Sequence, residues 1–209
     1  FVKPSAIFTC DLESFYHALV PYPRWPDYET KYGNWVEEAT RIFLDLLHVR
    51  RIRGIFYVLG HVAEHHGQLI RDVIRDNHVI GSHGYYHQRW EYEGDPSDNS
   101  ARIWLPRGFH PYRSPYWHST KRPNYGGGAY FRIAPYWWVK HEVARSCLFY
   151  IHPHDIVACP FYSRIPGMGH LKARRTFGVK GAKKKLWRLM EDFNWLNPNE
   201  LLSQVPLDL

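Results

Sequence analysis

The chain has 209 residues, of which 44% are hydrophobic and 22% are charged, so its composition excludes a disordered protein and is typical of a globular one. No apolar run approaches the length of about 20 residues that a membrane-spanning helix needs, and three cysteines cannot supply a disulfide framework. The net charge of +7 and the 14 histidines instead favour an anionic partner and histidine-based chemistry.

The N-terminal third begins with a buried strand. The apolar residues 6–10 predict this strand, and Asp11 stands at its C-terminal end. Residues 21–33 are rich in Pro, Tyr and Gly and predict a loop. Asn34 then predicts a helix N-cap with Glu37 as its capping-box partner, and apolar residues follow at helical spacing.

Two further strands follow in the first 83 residues. Residues 54–59 predict the second strand, and a second amphipathic helix ends near Asn77. Residues 79–82 predict the third strand, which is followed directly by His83. The alternation of strands and helices predicts an α/β domain with parallel strands, in which functional groups gather at the C-terminal ends of the strands.

The rest of the chain has fewer regular patterns. An apolar strand at 148–151 leads into His152, and a final amphipathic helix is predicted over 182–193. Three stretches without periodicity predict loops, at 91–110, 118–128 and 160–170.

Two acids and two histidines have the composition of a metal site. Asp11 and Glu13 leave the first strand together, although each alone also fits a helix cap or a surface loop. His83 and His87 are four residues apart, so on a helical turn both reach one metal ion. Two imidazoles and one carboxylate leave coordination positions open, as in catalytic sites. With 14 histidines, such a pair also arises by chance.

Two later motifs add an arginine and a third histidine. Arg113, Ser114, Pro115 and Tyr116 form a turn whose arginine can hold a carboxylate charged and oriented. His152 ends a buried strand, so its ring is expected at the same rim as the other histidines. Alone, these would be a surface arginine and a core histidine.

With these motifs in this order, the chain resembles the polysaccharide deacetylase family, also called carbohydrate esterase family four, over residues 5–195. The segments 82–87, 126–132, 134–136 and 150–153 resemble a bacterial subgroup that accompanies exopolysaccharide or surface-glycan biosynthesis. The resemblance implies a distorted, incomplete (β/α)7-type barrel and metal-dependent removal of an acetyl group from a sugar. The stretches 90–113 and 117–126 are short for the family. Either the barrel is shortened between its second and fourth motifs, or internal segments are missing.

The resemblance also implies a role for each matching residue. The implied metal ligands are Glu13, His83 and His87. Asp11 is the implied base, Arg113 holds it, and His152 is the implied acid. The implied substrate contacts are Tyr116, Arg132 and Tyr136. Glu13 is a variant, since many members have Asp directly after the base. The expected cofactor is one divalent ion, zinc before cobalt, nickel or manganese. It would activate water, with Asp11 taking the proton and His152 protonating the leaving amine.

The C-terminal part is strongly basic. Residues 170–188 hold eight lysines and arginines and no acid, within a basic segment 170–209 of what we expect to be one domain over 1–209. The charge favours a phosphate-linked sugar or contact with a membrane surface, and a solvated helix face is the plainer alternative. No nucleic-acid motif is visible, so we expect no nucleic-acid partner. Three cysteines, one beside the expected base, favour the cytoplasm.

Two other functions remain open from the residues. A metal-free amidohydrolase of the same superfamily would act on a non-sugar C–N bond, but the complete set of Glu13, His83 and His87 argues against it. A glycan-binding pseudoenzyme would be expected to lack Asp11 or His152, and both are present.

Overall fold

A parallel β-sheet forms the centre of the molecule. The structure, a computed structural model, describes residues 2–17, 19–20, 22–85, 87, 127–165 and 175–204. Within these residues the strands are β1 (Ser5–Leu12), β2 (Gly54–Val58), β3 (Val79–Ser82), β4 (Leu148–Ile151) and β5 (Asn194–Trp195). The order across the sheet is β3-β2-β1-β4, and β5 pairs with the first residues of β1. All these pairings are parallel, so the predicted α/β class is confirmed.

Helices connect and cover the strands. They are α1 (Trp25–Tyr32), α2 (Asn34–Arg50), α3 (Gly60–His65), α4 (Gly67–Arg75), α5 (Gly128–Ile133), α6 (Tyr136–Ser146), α7 (Pro153–Ile156), α8 (Val179–Asp192) and α9 (Pro198–Ser203). Short 3-10 turns lie at Tyr22–Arg24 and Tyr162–Arg164. Among the described helices, none combines the length and the hydropathy needed to cross a bilayer.

The central strand β1 sorts its side chains between two faces of the sheet. Phe8 belongs to the main hydrophobic core, whereas Ile7 packs with Tyr57 in a second, smaller cluster. Successive side chains of a strand alternate between faces, so Asp11 shares the parity of Ile7. Asp11 therefore leaves the strand on the face of the smaller cluster, and Glu13 follows directly after the strand.

The longer helices lie on one face of the sheet. Buried apolar residues of α2, α4 and α6, and those of α8 other than Val179, belong to the main core. Among the described helices, α9 alone reaches the smaller cluster, through Leu201. A one-sided helix layer is typical of a barrel wall, since an open doubly wound sheet carries helices on both faces. The described strands pair in one run from β3 to β4, so closure into a barrel stays a prediction. The short stretches 90–113 and 117–126 lie outside the described residues.

The loop predicted at 21–33 is wrong, because most of it forms α1. Pro26 lies in the first turn of this helix, where its missing N–H removes no intrahelical hydrogen bond. The Pro and Gly content of this segment therefore marks the ends of a helix.

The N-cap predicted at Asn34 is also wrong. Gly33 before it has helical angles, φ −55° and ψ −39°, so α2 starts directly at Asn34 with no side-chain cap. Glu37 does not close a capping box. Its carboxylate Oε1 lies 3.0 Å from Nδ1 of His66, which joins α2 to the break between α3 and α4.

For the second half of the chain, the predicted strand β4 is confirmed, and the observed helices differ from the predicted ones. The predicted helix 182–193 is α8, which begins three residues earlier at Val179. The predicted loop 118–128 ends where Gly128 starts α5, and α5 and α6 were not predicted. Of the predicted loop 160–170, the described part contains the 3-10 turn Tyr162–Arg164.

One lysine of the basic segment serves the fold. Lys185 Nζ donates to the backbone carbonyls of Phe131, Arg132 and Ala134 at 2.8, 3.1 and 2.7 Å. These carbonyls end α5, so the ammonium satisfies groups that the helix leaves without partners. Burial lowers the pKa of Lys185. Lys183 and Lys184 beside it are exposed, as is Lys180 earlier in α8.

Candidate functional site

The two acids of the first motif are buried at the carboxyl end of β1. The side chain of Glu13 is 2% exposed and that of Asp11 is 9% exposed. Burial raises the pKa of Asp11, while the nearby imidazoles of His152 and His87 act in the opposite direction. A carboxylate with a raised pKa is a stronger base, which suits proton abstraction near neutral pH.

His83 and His87 come together without the helical turn that their spacing predicted. The described residues 83–85 and 87 are not helical, and Gly84 and His87 have positive φ angles of 75° and 55°. A non-glycine residue in this conformation is uncommon and is often found at functional sites. The loop places the two imidazole centroids 5.0 Å apart.

Glu13, His83 and His87 have the geometry of a metal site. One ligand atom from each lies within 4.8 Å of the other two, and Oε2 of Glu13 is 3.2 Å from Nε2 of His87. Burial lowers the pKa of His83 to about 4, so its ring is neutral at pH 7, as a metal ligand must be. Two imidazoles and a buried carboxylate fit a divalent ion such as zinc.

His152 faces both acids from the end of β4. Its Nε2 lies 3.6 Å from Oδ2 of Asp11 and 3.7 Å from Oε1 of Glu13. Burial by itself lowers the pKa of His152, but a hydrogen bond to Asp155 and the negative charge of three nearby carboxylates outweigh it and raise this pKa to about 9. The imidazole is therefore protonated at neutral pH and can donate a proton from Nε2.

Asp155 is a functional residue that the sequence analysis missed. One carboxylate oxygen, Oδ2, accepts from Nδ1 of His152 at 2.9 Å and from the backbone N–H of His152 at 3.0 Å. The His-Pro-x-Asp spacing is that of a capping box at the start of α7, and this spacing could have revealed the contact. The hydrogen bond leaves the proton of Nε2 facing the two acids.

Arg132 completes a buried line of charges behind His152. Its Nε lies 3.0 Å from Oδ1 of Asp155, and both side chains are 1% exposed. The same guanidinium donates to the backbone carbonyls of Arg175 and Phe177. These contacts are all within the protein, and the substrate-binding role predicted for Arg132 stays a prediction.

Two glycines allow Arg132 to reach this position. Gly127 forms a parallel bridge with Tyr150 of β4, and a Cβ on Gly127 would lie 2.1 Å from the Tyr150 carbonyl oxygen. Gly128 has φ +54°, and a Cβ there would lie 2.6 Å from the Tyr150 hydroxyl. Only glycine permits this approach of α5 to β4, so Gly127 and Gly128 help to position Arg132.

The other predicted site residues fall in different surroundings. Tyr136 donates its hydroxyl to Oδ2 of Asp192 at 2.7 Å and lies under the Arg188 guanidinium, so its predicted substrate contact also stays a prediction. Arg113 and Tyr116 lie outside the described residues. His154, predicted in a loop, is buried in α7 with its ring stacked 4.6 Å from that of His152.

A second histidine group nearby does not fit a metal. Ligand atoms of His17, Glu29 and His61 also lie within 4.8 Å of one another. The backbone N–H of Ser14 donates to Nδ1 of His17 at 2.9 Å, which places the proton of the neutral ring on Nε2. Burial keeps the pKa of His17 well below its usual range, so the ring is neutral. With both nitrogens occupied, His17 cannot ligate an ion.

The contact between Asp155 and His152 predicts a change in pH dependence. An Asp155→Asn variant keeps a hydrogen-bond acceptor but loses the charge, so the pKa of His152 should fall from about 9 by about 1 to 3 units. Because the acid must be protonated to donate, activity is present below this pKa and lost above it. The alkaline limb of kcat/KM should therefore move to lower pH.

An Asp72→Asn variant is the matched control, since Asp72 pairs with Arg41 and Gln68, which are not among the predicted site residues. An unmoved alkaline limb in the Asp155 variant would contradict the assignment of His152 as the acid.

Two families match the chain. The family described as polysaccharide deacetylase matches residues 28–103, which include His83 and His87. A domain of unknown function (DUF3473) matches residues 113–203, which include Arg132, His152 and Asp155. The described site thus draws residues from both matched regions and from β1, which precedes them.

A curated relative matches over a shorter segment. The peptidoglycan-N-acetylmuramic acid deacetylase PdaA of Bacillus subtilis (strain 168) is 39% identical over 44 residues. This match covers 21% of the chain and 17% of the relative. No solved structure matches the chain.

Proposed function

Because the chain belongs to the polysaccharide deacetylase family, we propose that it is a metal-dependent hydrolase that removes an acetyl group from an N-acetylated sugar of a glycan or glycan precursor. The observation that carries the proposal is the meeting of the metal-ligand set with Asp11 and His152 at one edge of the sheet. A divalent ion held there by Glu13, His83 and His87 would supply Lewis-acid activation of water and of the acetyl carbonyl.

The protein's own groups divide the proton transfers between them. Asp11, with its raised pKa, takes the proton of the attacking water. His152, with its raised pKa, delivers a proton from Nε2 to the leaving nitrogen. Asp155 and Arg132 hold the His152 ring in the orientation that this delivery requires. Because β1 and β4 are neighbouring strands of one sheet, the base Asp11 and the acid His152 can act on the two ends of one C–N bond.

Metal content is the test of the proposal. Purified wild-type chain supplied with zinc, cobalt or nickel should hold one ion, because three protein ligands converge on one point. Glu13→Gln and His83→Ala should each lose the ion and the release of acetate from N-acetylglucosamine oligomers. His141→Ala removes an exposed histidine on α6 and should lose neither.

The outcomes separate this proposal from its alternatives. Wild-type chain that binds no metal, releases no acetate from the oligomers and hydrolyses a non-sugar amide would favour the metal-free amidohydrolase. Metal binding and glycan binding without acetate release would favour a glycan-binding protein on the same scaffold.

A further inference from the structure

A pocket beside α1 gathers three cations. Its volume is about 220 Å³, and its lining residues are Arg24, Asp27, Tyr28, Lys31, Tyr32 and Arg164. In the described part of the chain, no carboxylate lies within ion-pair distance of Arg24, Lys31 or Arg164. Among the described lining residues Asp27 is the one acid, so their net charge is +2.

Aromatic rings support the two guanidinium groups. One face of α1 and of the residue before it carries Arg24, Tyr28 and Lys31. The Arg24 guanidinium carbon lies 5.8 Å from the centre of the Tyr28 ring. Arg164 approaches from the 3-10 turn, 5.4 Å from the centre of the Phe161 ring. A guanidinium against a ring face keeps its N–H edge available for a carboxylate or phosphate.

Ring contacts connect the pocket to the chain segment that follows Glu13. Tyr32 stacks on Phe161 at 4.6 Å, and both rings contact Phe15, at 5.8 and 6.0 Å. Phe15 follows Glu13 by two residues and is fully buried. The pocket is therefore packed against the same segment of chain that carries Glu13.

We propose that this pocket is a subsite for an anionic group of an acidic glycan, either a sugar carboxylate or a phosphate. The inference rests on the proposed deacetylase function and specifies its substrate class. Two arginines and one lysine line a cavity large enough for such a group. The half-buried ring of Tyr32 beside them offers apolar surface to the sugar ring.

Direct binding of small anions tests the subsite. Inorganic phosphate and glucuronate are titrated calorimetrically into the wild-type chain, into Arg24→Gln/Arg164→Gln, and into Lys3→Gln/Arg71→Gln. The last variant removes the same charge from exposed positions outside the pocket and outside the basic segment. We expect the affinity to fall at least about tenfold in the Arg24/Arg164 variant, because charge-assisted hydrogen bonds are lost. The Lys3/Arg71 variant should retain wild-type affinity.

The tighter of the two anions identifies the source of the negative charge. Tighter binding of glucuronate supports a uronic-acid glycan, and tighter binding of phosphate supports a phosphate-linked glycan. Absence of binding to the wild-type chain, or equal affinity in the Arg24/Arg164 variant, would overturn the subsite.

This binding test is independent of catalysis. If the chain binds the anions in the pocket but releases no acetate, the proposed function fails and the subsite stands. If the Arg24/Arg164 variant releases acetate normally from neutral oligomers while KM rises for acidic ones, both stand. An unchanged KM for acidic oligomers would count against the subsite alone.

Discussion

Replacing Asp11 with asparagine should lower the rate of acetate release by about 10²- to 10⁴-fold, the contribution of a positioned general base. Asparagine has nearly the same shape, but its amide cannot accept a proton at neutral pH. The variant should keep its metal ion, because the metal-ligand set contains Glu13 and not Asp11. Acetate release and metal content, measured on one preparation, distinguish loss of the base from loss of the ion.

Two controls make the result for Asp11 specific. Asp45→Asn changes an exposed acid on α2 and should leave the rate unchanged. Glu13→Gln should lose both the ion and the activity. A fully active Asp11→Asn variant would contradict the assignment of the base, whatever its metal content.

Replacing Arg132 with methionine should destabilise the chain by about 3–5 kcal/mol, because it removes one of the two cations, Arg132 and His152, that pair with the buried Asp155 carboxylate. Arg132 and Asp155 are both 1% exposed, so water cannot replace the lost contact. The free energy of unfolding, measured in urea, tests this directly. At about 2–4 °C for each kcal/mol in a chain of this size, the melting temperature should fall by roughly 10 °C.

A surface ion pair supplies the control for Arg132. Arg145 pairs with Glu142 at 2.7 Å on α6, where its side chain is 40% exposed. An Arg145→Met variant should lose at most about 1 kcal/mol. Adding Asp155→Asn to Arg132→Met should recover part of the lost stability, since the buried charge is then gone. Equal losses in the two single variants would contradict the buried-pair assignment.

Residues close to one another in the chain made the strands and most of the site predictable. Buried strands appear as short apolar runs, and the residue that follows each run stands at the carboxyl end of the sheet. Local patterns alone therefore placed Asp11, Glu13, His83 and His152 at one edge. The resemblance to polysaccharide deacetylases used the same residues in the same order.

Local patterns misled where a neighbouring element decided the structure. A Pro-rich segment formed α1, because the buried rings of Trp25 and Tyr28 pack into the main core. His83 and His87 met through a loop with two positive φ angles, although their spacing suggested a helix. In both cases tertiary packing outweighed a weak local preference.

The sequence by itself determined the parallel α/β class and the residues at the strand ends, because burial imposes a pattern on every strand. Only the tertiary structure decided that Arg132 lies against Asp155, although 23 positions separate them in the chain. That contact needs the close approach of α5 to β4 at Gly127 and Gly128. The tertiary structure likewise decided that Arg24 and Arg164 line one pocket. Contacts between distant segments depend on how whole elements pack, and no local pattern records that packing.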